Sequence, residues 1–152
     1  MRLSEALILR ADLQKRYAQI GRRLNLNAKI QEGDRAAEDP KKLLAELEQI
    51  AQELTGYIQR INRTNSETML GDGMTLSEAL AVRDVLKMQQ ATYRELARSA
   101  SVSMPRYSQS EVRFISIVDV AMIQGRVDDL AKEIRELDTR IQERNWSVDL
   151  LD

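Results

Sequence analysis

The stretch LSEAL occupies residues 3–7 and occurs a second time at residues 76–80, an offset of 73. After each copy, apolar residues recur at the three- and four-residue spacing of an amphipathic α-helix. Arg10 and Arg83 continue the match at the same offset. The stretch therefore indicates that one kind of helix is built twice in this chain.

A second pair of matching segments follows the first. The apolar residues of 43–61 correspond to those of 123–141 at an offset of 80. The two offsets differ by seven residues, about two helical turns, so the apolar faces keep their phase. The sequence therefore predicts a single domain that contains two diverged copies of one long helical hairpin, about residues 1–72 and about residues 73–152.

Turn and capping residues set the predicted ends of the first two helices. The first helix runs from residue 3 to about residue 31, where Gly33-Asp34 breaks the apolar pattern. Asp39 is the expected N-cap of the second helix, and Pro40 suits its first helical position because proline needs no amide partner there. The second helix is expected to end near residues 62–65.

The third and fourth helices have the same kind of signal. A turn at residues 71–73 precedes a capping box of Thr75 and Glu78, which predicts the start of the third helix. A second capping box, from Ser108 to Glu111, predicts the start of the fourth. Two hairpins joined by short turns predict an all-α fold, namely an antiparallel four-helix bundle. Long helices with low aromatic content also favour coiled-coil pairing of such bundles into a homo-oligomer.

The segment Phe114–Val120 is rich in β-branched residues and would also fit a buried strand. We expect helix, because the repeat continues from it, and burial on nearly all sides, in part by a second subunit. Asp119 lies in this segment, and a buried carboxylate needs a partner. A core salt bridge to Arg10 or Arg83 is expected; a charged pocket for a small polar ligand is the alternative.

Composition excludes most catalytic chemistry. The chain has no histidine and no cysteine, which removes the commonest general base, the commonest metal ligand and any thiol or disulfide. No Gly-rich phosphate loop is present. Glu46 and Glu48 have the wrong spacing for a metal site, and the carboxylates of residues 129, 133 and 136 are expected on a solvated face. No enzyme activity, cofactor or metal is therefore expected. The net charge of −1 argues against nucleic acid. No apolar window approaches the ~18 residues of a membrane helix, and no signal segment is visible, so the cytoplasm is the expected location.

Two polar clusters are expected at opposite ends of the hairpins. Asparagine, arginine and tyrosine near helix ends can bind an anion, but the same residue types also cap helices, and both interpretations stay open. We expect Trp146 to pack over the hairpin end, with a stacking platform for a base as the alternative. The candidate anion-binding residues are Asn27, Lys29, Gln31, Arg106, Tyr107, Ser108 and Arg113. The candidate hairpin-end residues are Asn62, Arg63, Asn65, Asn145 and Trp146.

Five blocks of sequence span essentially the whole chain: residues 3–7 with 10–16, residues 27–34, residues 61–65, residues 106–108, and residues 138–142 with 145–146. Together they resemble the septicolysin-like family of small bacterial proteins. The resemblance implies, through the family's name, an oxygen-labile pore-forming toxin. Such lability usually requires a reactive thiol, which a chain without cysteine lacks.

Three functions follow, in descending order. The sequence favours a non-enzymatic helical bundle that associates with itself as an interaction or scaffold module. The first alternative is a protein that sequesters a small anionic ligand such as a nucleotide. The second alternative is the membrane-active protein that the resemblance implies.

Overall fold

The computed structural model describes residues 1–101 and 114–152. This part of the chain is all-α, with four helices and one small two-stranded sheet, which confirms the predicted fold class. The helices are α1 (Leu3–Leu26), α2 (Pro40–Glu67), α3 (Leu76–Ala100) and α4 (Val120–Ser147). The strands are β1 (Met69–Gly71) and β2 (Met74–Thr75).

The chain divides into two compact units. The first contains Met1–Met69 together with Glu143–Asp152, and the second contains Leu70–Gln142. The last ten residues therefore belong with the first hairpin, although the sequence repeat assigns them to the second. Among the described residues, no helix has the length and apolar character needed to cross a membrane.

The first unit has a core between α1 and α2. Its buried members are seven residues apart on each helix, about two turns, which is the pattern of an amphipathic hairpin. Each buried leucine or isoleucine contributes about 1.5–3 kcal/mol relative to an exposed one. Buried residues of this core are Leu13, Ile20, Leu43 and Ile50, and the partly buried ones against them are Leu24, Leu47, Leu54 and Tyr57.

The start of α2 confirms the predicted cap, since the Asp39 Oδ1 atom accepts a hydrogen bond from the Lys41 amide at 3.0 Å. The end of α1 differs from the prediction: the helix stops at Leu26, five residues earlier than expected. Asn27 caps it there, and its amide donates to the carbonyls of Arg23 and Leu24 at 3.1 Å.

In the second unit, α3 begins with the predicted capping box. The Thr75 amide donates to Glu78 Oε2 at 2.7 Å, and the Glu78 amide donates to Thr75 Oγ1 at 3.2 Å. A β-hairpin precedes it, and its two turn residues, Asp72 and Gly73, have φ values of 53° and 74°. Positive φ at both positions is typical of the tight turn that suits twisted strands.

The start of α4 corrects the prediction for the fourth helix. The helix begins at Val120, and Asp119 Oδ1 accepts a hydrogen bond from the Met122 amide at 3.0 Å. Residues 114–119 are not helical, so the prediction of a helix across this segment is wrong. Phe114 and Ile117 are 83% and 92% exposed in the single chain, and the predicted burial by a second subunit stays a prediction. The capping carboxylate at residue 119 fixes the helix start. The predicted capping box from Ser108 to Glu111 lies outside the described residues.

Candidate functional site

The first predicted cluster is a helix cap at Asn27. Its Nδ2 donates to the Arg23 carbonyl at 2.9 Å, and its Oδ1 accepts from the Glu38 amide at 3.0 Å. Both polar atoms of this buried side chain are therefore used inside the loop, as in the capping interpretation. Lys29 and Gln31 are exposed and form no part of these bonds. The remaining candidates lie outside the described residues: Arg106, Tyr107, Ser108 and Arg113.

Arg23 and Glu38 form a two-bond ion pair beside this cap. The Arg23 Nε donates to Glu38 Oε2 at 3.0 Å, and its Nη2 bonds the other carboxylate oxygen. The side-chain hydrogen bond to Arg23 lowers the pKa of Glu38, and the same bond raises the pKa of Arg23. The arginine charge is thus balanced inside the chain and contributes no free cation for an anion.

The second predicted cluster holds the end of the chain. Arg63 Nη1 bonds the Asp152 carbonyl, and Arg60 Nε bonds the Leu151 carbonyl at 3.1 Å. The fully buried Thr64 hydroxyl accepts from the Leu151 amide at 3.0 Å. These side chains therefore fix the chain end onto α2.

The other members of this cluster have different environments. Asn145 is buried, Asn65 is half-buried and Asn62 is exposed. Trp146 is 61% exposed, so the prediction that it packs as an anchor over the hairpin end is wrong. It lies two positions before the residues that pair with the start of the chain, and its indole is left toward solvent.

Two backbone bonds join the ends of the first unit. The Leu3 amide donates to the Val148 carbonyl, and the Leu150 amide donates to the Met1 carbonyl, both at 2.9 Å. The resulting antiparallel bridge pairs Arg2 with Asp149, whose side chains also form an ion pair at 3.2 Å.

The predicted core charge pair does not form. Asp119 is exposed as the cap of α4, so it is not a buried carboxylate. Arg83 instead bonds Asp138 at 3.4 Å and Asp84 at 3.0 Å. The Nε atom of Arg10 is buried and has no hydrogen-bond partner among the described residues.

A surface on α3 is the feature that the sequence prediction missed. Eight residues on adjoining rows of the helix are all exposed, and none is charged. Four of the apolar side chains are 40–69% exposed. We call this set the α3 surface: Ala81, Val82, Val85, Met88, Gln89, Thr92, Tyr93 and Leu96.

The equivalent positions on α1, at the offset of 73, carry four charges. Each of the four is in an ion pair: Asp12 with Lys15 at 3.8 Å, Arg16 with Glu46 at 3.9 Å, and Arg23 with Glu38. On α3 the same positions carry valine, methionine, glutamine and leucine. The signal was present in the sequence, since aligning the two copies shows four charged positions becoming uncharged.

In residues 1–101 and 114–152, the acidic side chains and the surface grooves bear on metal and ligand binding. No group of three or more acidic, histidine or cysteine residues is placed to hold a metal ion in that part of the chain. An open groove along α2 is lined by uncharged side chains of one helix: Ala51, Gln52, Thr55, Gly56 and Gln59.

Comparison with known proteins gives the family. Residues 10–150 match a family described as "Family of unknown function (DUF6847)". The chain belongs to this family. A crystal structure of "a functionally unknown conserved protein from Corynebacterium diphtheriae" is 42% identical, with 99% of each chain covered and a TM-score of 0.94, so this DUF6847 protein shares its fold. No curated protein matches the chain.

Proposed function

We propose that this protein is a non-enzymatic, self-associating interaction module, and that two copies meet through the α3 surface. The observation that carries the proposal is the loss of all four charges on α3 relative to the equivalent positions of α1. A helix face that stays in water has no reason to lose them, because apolar area in water costs about 25 cal/mol per Å².

A second copy of the chain is the occupant that this surface fits. A surface without charge meets itself about a two-fold axis without like-charge repulsion, and isologous contact of this kind is the commonest oligomer symmetry. A partner chosen by charge would instead need charged positions on the surface for recognition. Eight exposed residues along four turns give a strip long enough for helix-to-helix packing.

The test replaces uncharged residues of the α3 surface with the charged residues that α1 has at the equivalent positions. The double variant Val85→Asp with Met88→Lys carries the residues of α1 at these positions. We expect the unmodified protein to sediment as a dimer at micromolar concentration and the double variant to sediment as a monomer, with equal helix content by circular dichroism. Gln19→Lys, which adds a charge to an exposed site on α1, is the control and should remain dimeric.

Two outcomes contradict the proposal. If the unmodified protein is monomeric up to about 100 µM, self-association is wrong, because a specific interface of ordinary size binds more tightly than that. If the protein is a dimer that the double variant does not weaken, the α3 surface is not the interface.

The other interpretations stay predictions from the sequence. Four of the seven candidate anion-binding residues lie outside the described part of the chain, and Asn27 is used as a cap. The arrangement of the hairpins as an antiparallel bundle, the cytoplasmic location and the septicolysin-like resemblance with its membrane-active implication likewise remain predictions.

A further inference from the structure

A small joint precedes α3. In it, β1 pairs with β2, and β2 leads directly into the helix. Asp72 follows β1, and its Oδ2 atom lies 2.8 Å from Nη2 of Arg140 on α4. The Thr75 amide donates to Glu78 Oε2 at 2.7 Å at the start of the helix. We call this the first joint: residues 69–75 with the side chain of Arg140.

The equivalent residues form the same joint before α1. Asp149 pairs with Arg2 in an antiparallel bridge, and the Arg2 amide donates to Glu5 Oε2 at 2.8 Å. Asp152 Oδ1 lies 2.6 Å from Nη2 of Arg60 on α2. At the repeat offsets of 80 and 73, these five residues correspond to Met69, Thr75, Glu78, Asp72 and Arg140.

The two joints differ in how their segments are connected. In the first joint, the tight turn of Asp72 and Gly73 links β1 to β2. The second joint comprises residues 149–152, residues 1–2 and Arg60, and its two segments are connected only through the helices between them. Non-covalent contacts therefore hold residues 149–152 in place.

These contacts read an extended segment of chain. The Leu150 amide donates to the Met1 carbonyl at 2.9 Å, and the Leu151 amide donates to Thr64 Oγ1 at 3.0 Å. The Leu150 side chain is 8% exposed. Backbone hydrogen bonds beside an existing segment, with one buried side chain for specificity, are the features of a site that binds an extended peptide.

We infer that the second joint is an exchange site, in which residues 149–152 of one copy bind the start of α1 and the end of α2 of a second copy. The inference rests on the proposed self-association. It specifies a contact through which each copy completes the first unit of the other.

A second copy is the partner because its residues 149–152 have the sequence that this site already binds. Exchange makes between copies the contacts that the closed chain makes within itself, so no contact is lost, and exchange of an identical element is a low-cost route to a dimer. The first joint does not exchange, because its turn holds the two strands together. Self-association raises the local concentration of the second copy's segment and so favours exchange.

The bridge between Arg2 and Asp149 makes a direct test available. The backbone bonds on either side of this pair leave it in the non-hydrogen-bonded position, where opposite Cα atoms are about 4.5 Å apart, within the range of a disulfide. The chain has no cysteine of its own. A mixture of Arg2→Cys and Asp149→Cys can therefore form this disulfide only between copies.

We expect the mixture, equilibrated where the unmodified protein is dimeric and then treated with a mild oxidant, to give a covalent heterodimer on a denaturing gel without reductant. Each variant oxidised alone is the control and should remain unlinked, because residue 2 lies opposite residue 149 and not opposite itself. A dimeric mixture that gives no covalent heterodimer overturns the inference.

Reversed charges test the other end of the joint. Arg60→Asp and Asp152→Arg each place like charges together within one chain, but in an exchanged mixed dimer both joints regain an opposite pair. Because exposed ion pairs contribute about 0.2–1 kcal/mol each, the Kd of the mixed dimer should be about three- to tenfold lower than that of either variant alone. The chain with both substitutions is the control and should match the unmodified protein. Equal Kd values for mixed and unmixed dimers contradict exchange.

The results separate this inference from the proposed function. A dimer that Val85→Asp with Met88→Lys dissociates, but whose cysteine mixture stays unlinked, overturns the inference alone. A covalent heterodimer that forms equally well when both partners carry the α3 charges supports exchange and overturns the α3 interface. A protein that is monomeric and stays unlinked overturns both.

Discussion

Arg83 and Asp138 form an ion pair across the second hairpin, with Nη1 and Oδ1 3.4 Å apart. The equivalent positions of the first hairpin, at offsets of 73 and 80, are Arg10 and Ile58. The arginine is present in both copies, but its acidic partner is present in one. This difference explains why the Nε atom of Arg10 is buried without a hydrogen-bond acceptor.

Replacement of the two arginines by methionine should therefore have opposite effects. Methionine keeps most of the side-chain volume and removes the charge. A buried polar atom without a partner costs about 1–3 kcal/mol, so Arg10→Met should be neutral or should stabilise the protein. Arg83→Met leaves the partly buried Asp138 with only Lys87 as an ion-pair partner among the described residues, 3.8 Å away. This variant should lower the free energy of unfolding of the protein by about 1 kcal/mol. Urea unfolding measures the free energy of unfolding of both variants. Equal losses of stability in the two variants would contradict the difference between the two arginines.

The capping carboxylates should be equivalent in energy. Asp39 and Asp119 are separated by the repeat offset of 80, and each accepts a hydrogen bond from an amide in the first turn of its helix at 3.0 Å. We expect Asp39→Ala and Asp119→Ala each to lower the free energy of unfolding by about 1 kcal/mol. A loss of about 3–5 kcal/mol at residue 119 would instead indicate a buried ion pair and would restore the sequence prediction.

Acid should weaken the start of α3. The hydrogen bond from the Thr75 amide, with that from its hydroxyl, lowers the pKa of Glu78 below its ordinary value of 4.5. Folding therefore favours the ionised form, and the stabilisation is complete above that value and is lost as pH falls through the lowered pKa. The difference in Tm between the unmodified protein and Glu78→Gln should shrink from pH 7 to about pH 3. Glu48→Gln, on exposed α2 surface, is the control; a constant difference would be inconsistent with this role for Glu78.

The two kinds of glycine should respond oppositely to alanine. Gly73 has φ of +74° in the hairpin turn, where a Cβ atom is strained, so Gly73→Ala should destabilise by about 1–2 kcal/mol. Gly21 lies inside α1 with no atom within 4 Å of an added Cβ, so Gly21→Ala should stabilise by about 0.5–1 kcal/mol. Thermal unfolding measures both, and a stabilised Gly73→Ala would show that the turn is not held in this conformation.

Sequence patterns predicted the features whose causes are local. The Asp39 cap, the Thr75 and Glu78 capping box and the turn at residues 71–73 each depend on a few adjacent residues, and all are confirmed. The start of α4 could also have been predicted, because Asp119 lies 80 residues after Asp39. The apolar periodicity of residues 114–118 was given more weight than that correspondence, so the predicted fourth helix began too early in the chain.

The remaining errors concern contacts between distant residues. The end of α1 depends on Asn27 bonding the Glu38 amide, eleven residues further along the chain. The exposure of Trp146 and the partner of Arg83 depend on which faces of different helices are in contact. The spacing of residues along one helix does not determine those contacts. For the candidate site, comparison of the two copies was the usable signal, since four charges differ between α1 and α3.

The bonds between the two ends of the first unit also constrain how the protein can be made. Leu3 is synthesised before the second unit, whereas Val148, whose carbonyl accepts a hydrogen bond from the Leu3 amide, is synthesised after it. The second unit lies wholly between these residues in the chain, so its sequence is fully synthesised before the first unit can close. Domains usually fold in the order in which they are synthesised. Here the first hairpin is synthesised before the second unit but completed after it. Until residue 151 has been synthesised, the Thr64 hydroxyl at the end of α2 lacks its hydrogen bond from the Leu151 amide.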